Sequence, residues 1–192
     1  MFEALAANIQ KYIKLSEDEQ KDLSEFFEEK SFKTKTVLLR EGEICQFEAY
    51  IKKGCVRIFY NGESGQEVTL AFAIEDWWVC DIASFSEQKP SRLFMETLEE
   101  TEVVMLNPKT KEQLLAKNPR LERFFRLLVQ RNLCAIQNRL LNTISKSAAE
   151  RYVEFIQLYP TIPQRVPQYY IASYLGVSPE FVSKIRKKLA SQ

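Results

Sequence analysis

The 192-residue sequence contains no histidine. That excludes imidazole acid–base catalysis, catalytic triads of the usual kind and most catalytic zinc sites. Cysteine is scarce and scattered. Cys45, Cys55, Cys80 and Cys134 include no close pair of the sort that zinc, iron–sulfur or dithiol chemistry prefers. They read as reduced, buried thiols of a cytoplasmic protein, and no metal site is expected. No run of about 18 apolar residues exists, so no membrane-spanning helix is expected. The start, MFEALAANIQKYIKL, lacks the charged region and long apolar stretch of a signal peptide.

The net charge of +1 hides a division. Residues 1–107 hold 12 Lys and Arg against 21 Asp and Glu, whereas residues 108–192 hold 15 against 5. An acidic front and a basic back suggest two modules, the second attracted to a polyanion.

Residues 2–29 read helical, with Ser16 and Glu19 in a capping-box pattern. From residue 31 short runs rich in Val, Ile, Phe, Tyr, Trp and Thr alternate with turn signals at Gly42, Gly54, Asn61-Gly62 and Pro90. This spacing predicts a β-sandwich or jelly roll, with a hairpin at Asn61-Gly62. A metal- or sugar-processing jelly-roll enzyme would need a His/carboxylate cluster, so no enzyme is expected.

Asn107-Pro108 then opens a helix. From Pro119 to about Ser145 no Gly or further Pro interrupts a helix of about 26 residues. Leu121, Phe125, Leu128, Asn132, Ala135 and Arg139 form one stripe; Val129, Leu133, Ile136, Leu140 and Ile144 form a second beside it. So long an apolar face predicts pairing with a symmetry mate, through Leu121, Phe125, Leu128, Asn132, Ala135, Ile136 and Leu140. Ser147 starts AAERYVEFIQLY, and TIPQRVP reads as a linker.

The last segment carries a joint pattern. Ala172 is small where two helices cross, and Gly176 supplies positive φ in the turn. Ile171, Leu175, Val177, Val182 and Ile185 form a small core; Ser178 caps a second helix with Pro179 in its first turn. Its outward face is Pro179, Glu180, Ser183, Lys184, Lys187 and Lys188, next to Ser178. Glu accepts from cytosine amino groups, and Lys donates to guanine or phosphate. Double-stranded DNA is therefore the expected partner. The alternative is a small-molecule or partner-binding module whose C-terminal helices do not bind DNA.

REGEICQFEAYIKKGCVRIFYN, EVVMLNPKTKEQLLAKNP, AAERYVEFI and YLGVSPEFVSKIRKKL together resemble the Crp/Fnr family of bacterial transcription regulators. The resemblance implies an α+β fold: an N-terminal β jelly roll of the cyclic-nucleotide-binding type with flanking helices, residues 1–118; a long dimerisation helix, 119–145; and a C-terminal helix-turn-helix domain, 146–192. It implies a homodimer on near-palindromic DNA, a hinge near residues 142–147, and RNA polymerase as a candidate partner. Glu180 and Lys184 fall on base-contacting positions of the family, and Pro179 replaces a frequent Arg. The β-hairpin wing that usually follows the second helix is expected to be largely absent.

Cyclic-AMP binders of the family carry Phe-Gly-Glu and, about nine residues on, Arg-Ser or Arg-Thr. Here the stretch reads Trp78-Val79-Cys80-Asp81 and then Ser91-Arg92. Cys80 replaces Gly, Asp81 is a shorter Glu, and the last pair is reversed, which turns Arg92 to the opposite face of a strand. A buried phosphate would then lack its bidentate partner. The expected effector pocket is Trp78, Cys80, Asp81, Ser91 and Arg92, with cyclic AMP not bound tightly. Trp77 and Trp78 either line a pocket for another effector or fill the jelly roll.

Overall fold

A computed structural model describes residues 2–190, apart from the Ala190 side chain. The expectation about a wing concerns chain beyond Ala190 and lies outside the described residues. The helical start divides into α1 (Glu3–Gln10) and α2 (Glu17–Phe26), and α2 opens with the anticipated capping box of Ser16 and Glu19.

Eight strands follow: β1 (Glu28–Phe32), β2 (Val37–Leu39), β3 (Glu48–Lys53), β4 (Val56–Asn61), β5 (Glu67–Ala73), β6 (Trp78–Val79), β7 (Phe94–Thr97) and β8 (Thr101–Leu106). They form two antiparallel sheets, ordered β1-β8-β3-β6 and β2-β7-β4-β5. A short helix, α3 (Ile82–Glu87), leaves β6. The Asn61-Gly62 hairpin joins β4 to β5, with the Gly62 N–H donating to the Gln66 carbonyl at 2.8 Å.

Three apolar clusters organise the molecule. Leu39, Ile51, Val56, Met95 and Val103 fill the space between the sheets. Tyr50, Val104 and Leu106 turn to the other face of the first sheet and meet α1 and α2, α4 (Pro108–Lys117) and the start of α5 (Leu121–Ser145). That sheet is thus buried on both faces. The third cluster joins Cys55 of the β3–β4 turn and Phe72 of the second sheet to α6 (Ala148–Leu158), α7 (Ile162–Arg165), α8 (Gln168–Leu175) and α9 (Pro179–Ala190).

Asn107 caps α4 and Ser147 caps α6, both reciprocally. The expected linker TIPQRVP instead contains α7, because Ile162 is buried under the third cluster and anchors one helical turn. Gly176 sits at φ +67° and turns α8 into α9.

Gly54 joins β3 to β4 at φ +107°, where a Cβ would stand 2.7 Å from the Thr101 Cα and 2.8 Å from the Glu100 carbonyl oxygen. Gly42, at φ +87°, has nothing within 4 Å of that position. Gly42→Ala therefore meets backbone strain alone, about 1–2 kcal/mol. Gly54→Ala adds a backbone collision that no rotamer relieves. Urea denaturation is expected to place Gly54→Ala at least about 1 kcal/mol below Gly42→Ala; equal stabilities would show that the β3–β4 turn shifts freely.

Candidate functional site

The helix-turn-helix geometry matches its sequence pattern. Ile171, Ala172, Leu175 and Val182 are buried between α8 and α9, with Val177 and Ile185 packed against them. The Val177 N–H donates to the Ala172 carbonyl at 3.0 Å, so a side chain larger than Ala172 would separate the helices. Ser178 Oγ accepts from the Phe181 N–H at 3.2 Å, which caps α9. Pro179, Glu180, Lys184, Lys187 and Lys188 lie exposed along α9. Hydrogen bonds from its own N–H and from Ser178 hold the Glu180 carboxyl below its usual pKa, so it presents acceptors.

Ser183 departs from the expected outward face. It is half-buried; its hydroxyl accepts from Gln168 Nε2 at 2.7 Å and donates to the Pro179 carbonyl at 3.1 Å. It joins α9 to the start of α8 and is not a free donor for a base. Gln168 also accepts from Arg186 at 3.1 Å, which fixes the angle between the two helices.

Of the five expected effector residues, Asp81 and Ser91 come together, whereas Trp78 and Arg92 point elsewhere. Trp78 points away from the jelly-roll interior: its Nε1–H donates to Asn8 Oδ1 at 3.1 Å, and its ring packs on Phe27, Tyr50, Phe124 and Phe125. The physical reason is that both faces of its sheet are buried, and the residue after it, Val79, takes the interior position. Cys80 packs with the interior cluster and hydrogen-bonds to Cys45, which holds the Cys45 thiol below its ordinary range and pushes Cys80 up.

Asp81 caps α3 by accepting from the Ser84 N–H at 3.2 Å, and its second oxygen accepts from the Ser91 hydroxyl at 2.6 Å. A carboxyl group of the chain itself thus occupies the helix start, where an external anion would otherwise bind. Arg92 is exposed; it lies in a bend before β7, so strand alternation does not set its direction.

The long helix also needs correction. Leu121 and Phe125 are buried in the first sheet's helix layer, and Leu128 packs against the same cluster. Asn132 and Ala135 border a cleft facing the chain's own β5 and α6. The second stripe is exposed along its length: Val129, Leu133, Ile136, Leu140 and Ile144, the last two being 61% and 77% exposed, with Ile136 also bordering the cleft. The first turns of the helix are thus buried in the fold, whereas its later turns keep one face exposed and turn Arg139 and Asn142 toward β5, α8 and α6.

Sequence reading missed how the C-terminal helices dock. Thr69 N–H of β5 donates to Ser173 Oγ at 2.9 Å, and that hydroxyl donates to the Glu67 carbonyl at 3.0 Å. The Arg57 guanidinium lies 3.7 Å from the Tyr170 ring centre, and Arg165 pairs with Glu75 at 2.8 Å and with Glu99. A charged residue inside Val-Arg-Ile-Phe-Tyr was the available signal.

Residues 29–118 match the family described as the cyclic nucleotide-binding domain. No curated protein sequence matches the chain. Among solved structures, the c-di-GMP-responsive global regulator CLP of Xanthomonas campestris superposes with a TM-score of 0.74 at 17% identity, covering 92% of each chain. FixK2 from Bradyrhizobium japonicum also reaches 0.74, at 19% identity, over 86% of this chain and 85% of its own. Thermus thermophilus catabolite activator protein reaches 0.58 at 21% identity, over 93% and 85%. The family match is confined to residues 29–118, and the chain as a whole shares the fold of these regulators and of one described as of the Crp/Fnr family from Eubacterium rectale, which superposes with a TM-score of 0.69 at 15% identity, over 92% of this chain and 84% of its own.

Proposed function

We propose that the chain is a Crp/Fnr-type transcriptional regulator that binds near-palindromic double-stranded DNA as a homodimer. Residues 1–118 form the sensor domain, 119–145 the dimerisation helix and 146–192 the DNA-reading domain. The observation that carries this reading is α9: its inner face is locked to α8, and its outer face presents Glu180 and Lys184 one helical turn apart. A helix held this way enters a major groove with its first turns over base edges. Glu180 takes a cytosine amino group, Lys184 a guanine, and Lys187 a phosphate. Two such helices are spaced by pairing the exposed stripe of α5 with its symmetry mate.

The sensor domain does not bind cyclic AMP tightly. Asp81 and Ser91 are bonded to each other, and Arg92 is exposed. A cyclic phosphate would face a carboxyl group without a guanidinium to balance it.

On a site selected from random duplexes, Glu180→Ala and Lys184→Ala are each expected to weaken binding by about 5- to 150-fold and to relax preference at one position. Lys187→Ala is expected to weaken all sequences alike and to lower the salt slope by about one. Unchanged affinity and preference in the first two would remove the recognition-helix assignment and favour a module that does not bind DNA. Sedimentation is expected to give a dimer whose dissociation constant rises at least about tenfold in Leu140→Glu, because a carboxylate would enter the apolar seam. A ligand at a hundredfold excess over its dissociation constant adds about 2.7 kcal/mol to stability. Cyclic AMP at millimolar concentration is expected to leave the thermal midpoint unmoved, whereas a rise of several degrees would refute the closed pocket.

A further inference from the structure

One roomy space in this molecule lies away from the Asp81–Ser91 position. A cleft of about 530 Å³ lies between β5, the later turns of α5, α6 and α8. That size falls in the range of small-molecule sites. Three parts of the chain meet there: Phe72 and Trp77 come from the sensor side, Arg139 from the long helix, and Arg151, Phe155 and Tyr174 from the C-terminal helices.

One wall is aromatic and continuous. Trp77 meets Tyr159 at 5.4 Å between ring centres; Tyr159 meets Phe155 at 5.4 Å; and Phe155 meets Tyr174 at 5.2 Å. Such a wall offers flat faces and edges to a planar ring.

The charge balance of the cleft is uneven. Its carboxylate, Glu154, is already matched by Lys146 at 2.9 Å and by Asn142 at 2.8 Å. Its two guanidiniums are not matched. Arg139 donates only to backbone carbonyls, those of Leu70 and Tyr174, the latter at 2.9 Å, and lies 4.0 Å over the Tyr174 ring. Carbonyl dipoles orient that cation without neutralising it. Arg151 keeps a buried Nε with no hydrogen-bond partner. Among the described residues neither cation meets a carboxylate within 4.0 Å. A buried donor left unpaired costs about 1–3 kcal/mol.

We propose that this cleft is a binding site for a small organic anion bearing a flat aromatic ring. The ring lies against Trp77, Tyr159 and Phe155, and the anionic group accepts from Arg151 with Arg139 nearby. The site is separate from the closed Asp81–Ser91 position, and it does not require DNA binding. A second copy of the chain is a poorer occupant, because its exposed α5 stripe is apolar and carries nothing to meet the two guanidiniums.

The probe is 8-anilinonaphthalene-1-sulfonate, an aromatic sulfonate, with uncharged N-phenyl-1-naphthylamine as its control. Both are titrated into full-length Trp78→Phe protein, in which Trp77 is the one remaining tryptophan. Energy transfer from Trp77 to the sulfonate is expected to saturate at one probe per chain. Arg151→Met is expected to weaken the sulfonate by about tenfold, the loss of one charge-assisted contact, and the uncharged probe by less than about twofold. Ala135→Trp, a change on an exposed helical position that fills the cleft, is expected to abolish both. That variant tests the site even if Arg151→Met lowers stability. No saturable transfer, as when the partner copy fills the cleft, overturns the proposal; so does transfer that survives Ala135→Trp, or sulfonate affinity unchanged in a folded Arg151→Met. DNA affinity is measured on the same samples, so a failure of DNA reading is seen separately.

Discussion

The Arg57 guanidinium is fully buried, and much of the molecule is arranged to make that tolerable. Moving such a cation out of water costs several kcal/mol unless it is paired and hydrogen-bonded. Nη1 pairs with Glu67 of β5 at 2.7 Å and with Glu96 of β7 at 2.9 Å, and Nε donates to Thr69 Oγ1 at 3.0 Å. Glu96 is the stronger partner, since its side chain is largely out of solvent while that of Glu67 is about half exposed. One residue of β4 therefore ties together β4, β5 and β7. Its flat faces are covered by Phe59 on one contact and by Tyr170 of α8 on another. The site is sealed only when the first helix of the helix-turn-helix pair lies on the sheet.

From that constraint the role of β5 follows. It is the edge strand of its sheet, and an unpaired edge seeks a partner. Here α8 covers it: Ser173 satisfies the Thr69 N–H and returns its own proton to the Glu67 carbonyl. Arg165, at the end of α7, clamps Glu75 and Glu99 on the far side of the same surface. The C-terminal helices are held to the jelly roll at several polar points and one apolar cluster, rather than hanging from the α5–α6 corner alone.

What was legible in the sequence was local. The caps at Ser16, Asn107, Ser147 and Ser178 and the turns at Gly62 and Gly176 depend on residues within four positions, and each forms as its pattern implies. Directions set by packing across long separations were not legible. Trp78 sits in a two-residue strand of a sheet buried on both faces, so apolar alternation says nothing about which face it takes. The two stripes of α5 look equivalent in sequence, yet only the underlying domain decides that Leu121 and Phe125 are core and Leu140 is surface. Of the candidate site, the α9 face was readable except for Ser183, whose partner Gln168 lies fifteen residues away.

A ligand changes a conformational balance only through contacts that differ between the two states. The position closed by Asp81 and Ser91 lies wholly inside the jelly roll, bonded within α3 and its flanking loop. Occupying it would have to act through intervening strands. The cleft beside Trp77 is different, because its walls come from β5, α5, α6 and α8. Those walls keep their spacing only while α8 stays docked on β5 and Arg139 bridges the Leu70 and Tyr174 carbonyls. Separation of the C-terminal helices would divide the cleft, and with it every contact that spans it. Coupling between an occupant there and the placement of the C-terminal helices thus needs no relay: both depend on the same docked surface.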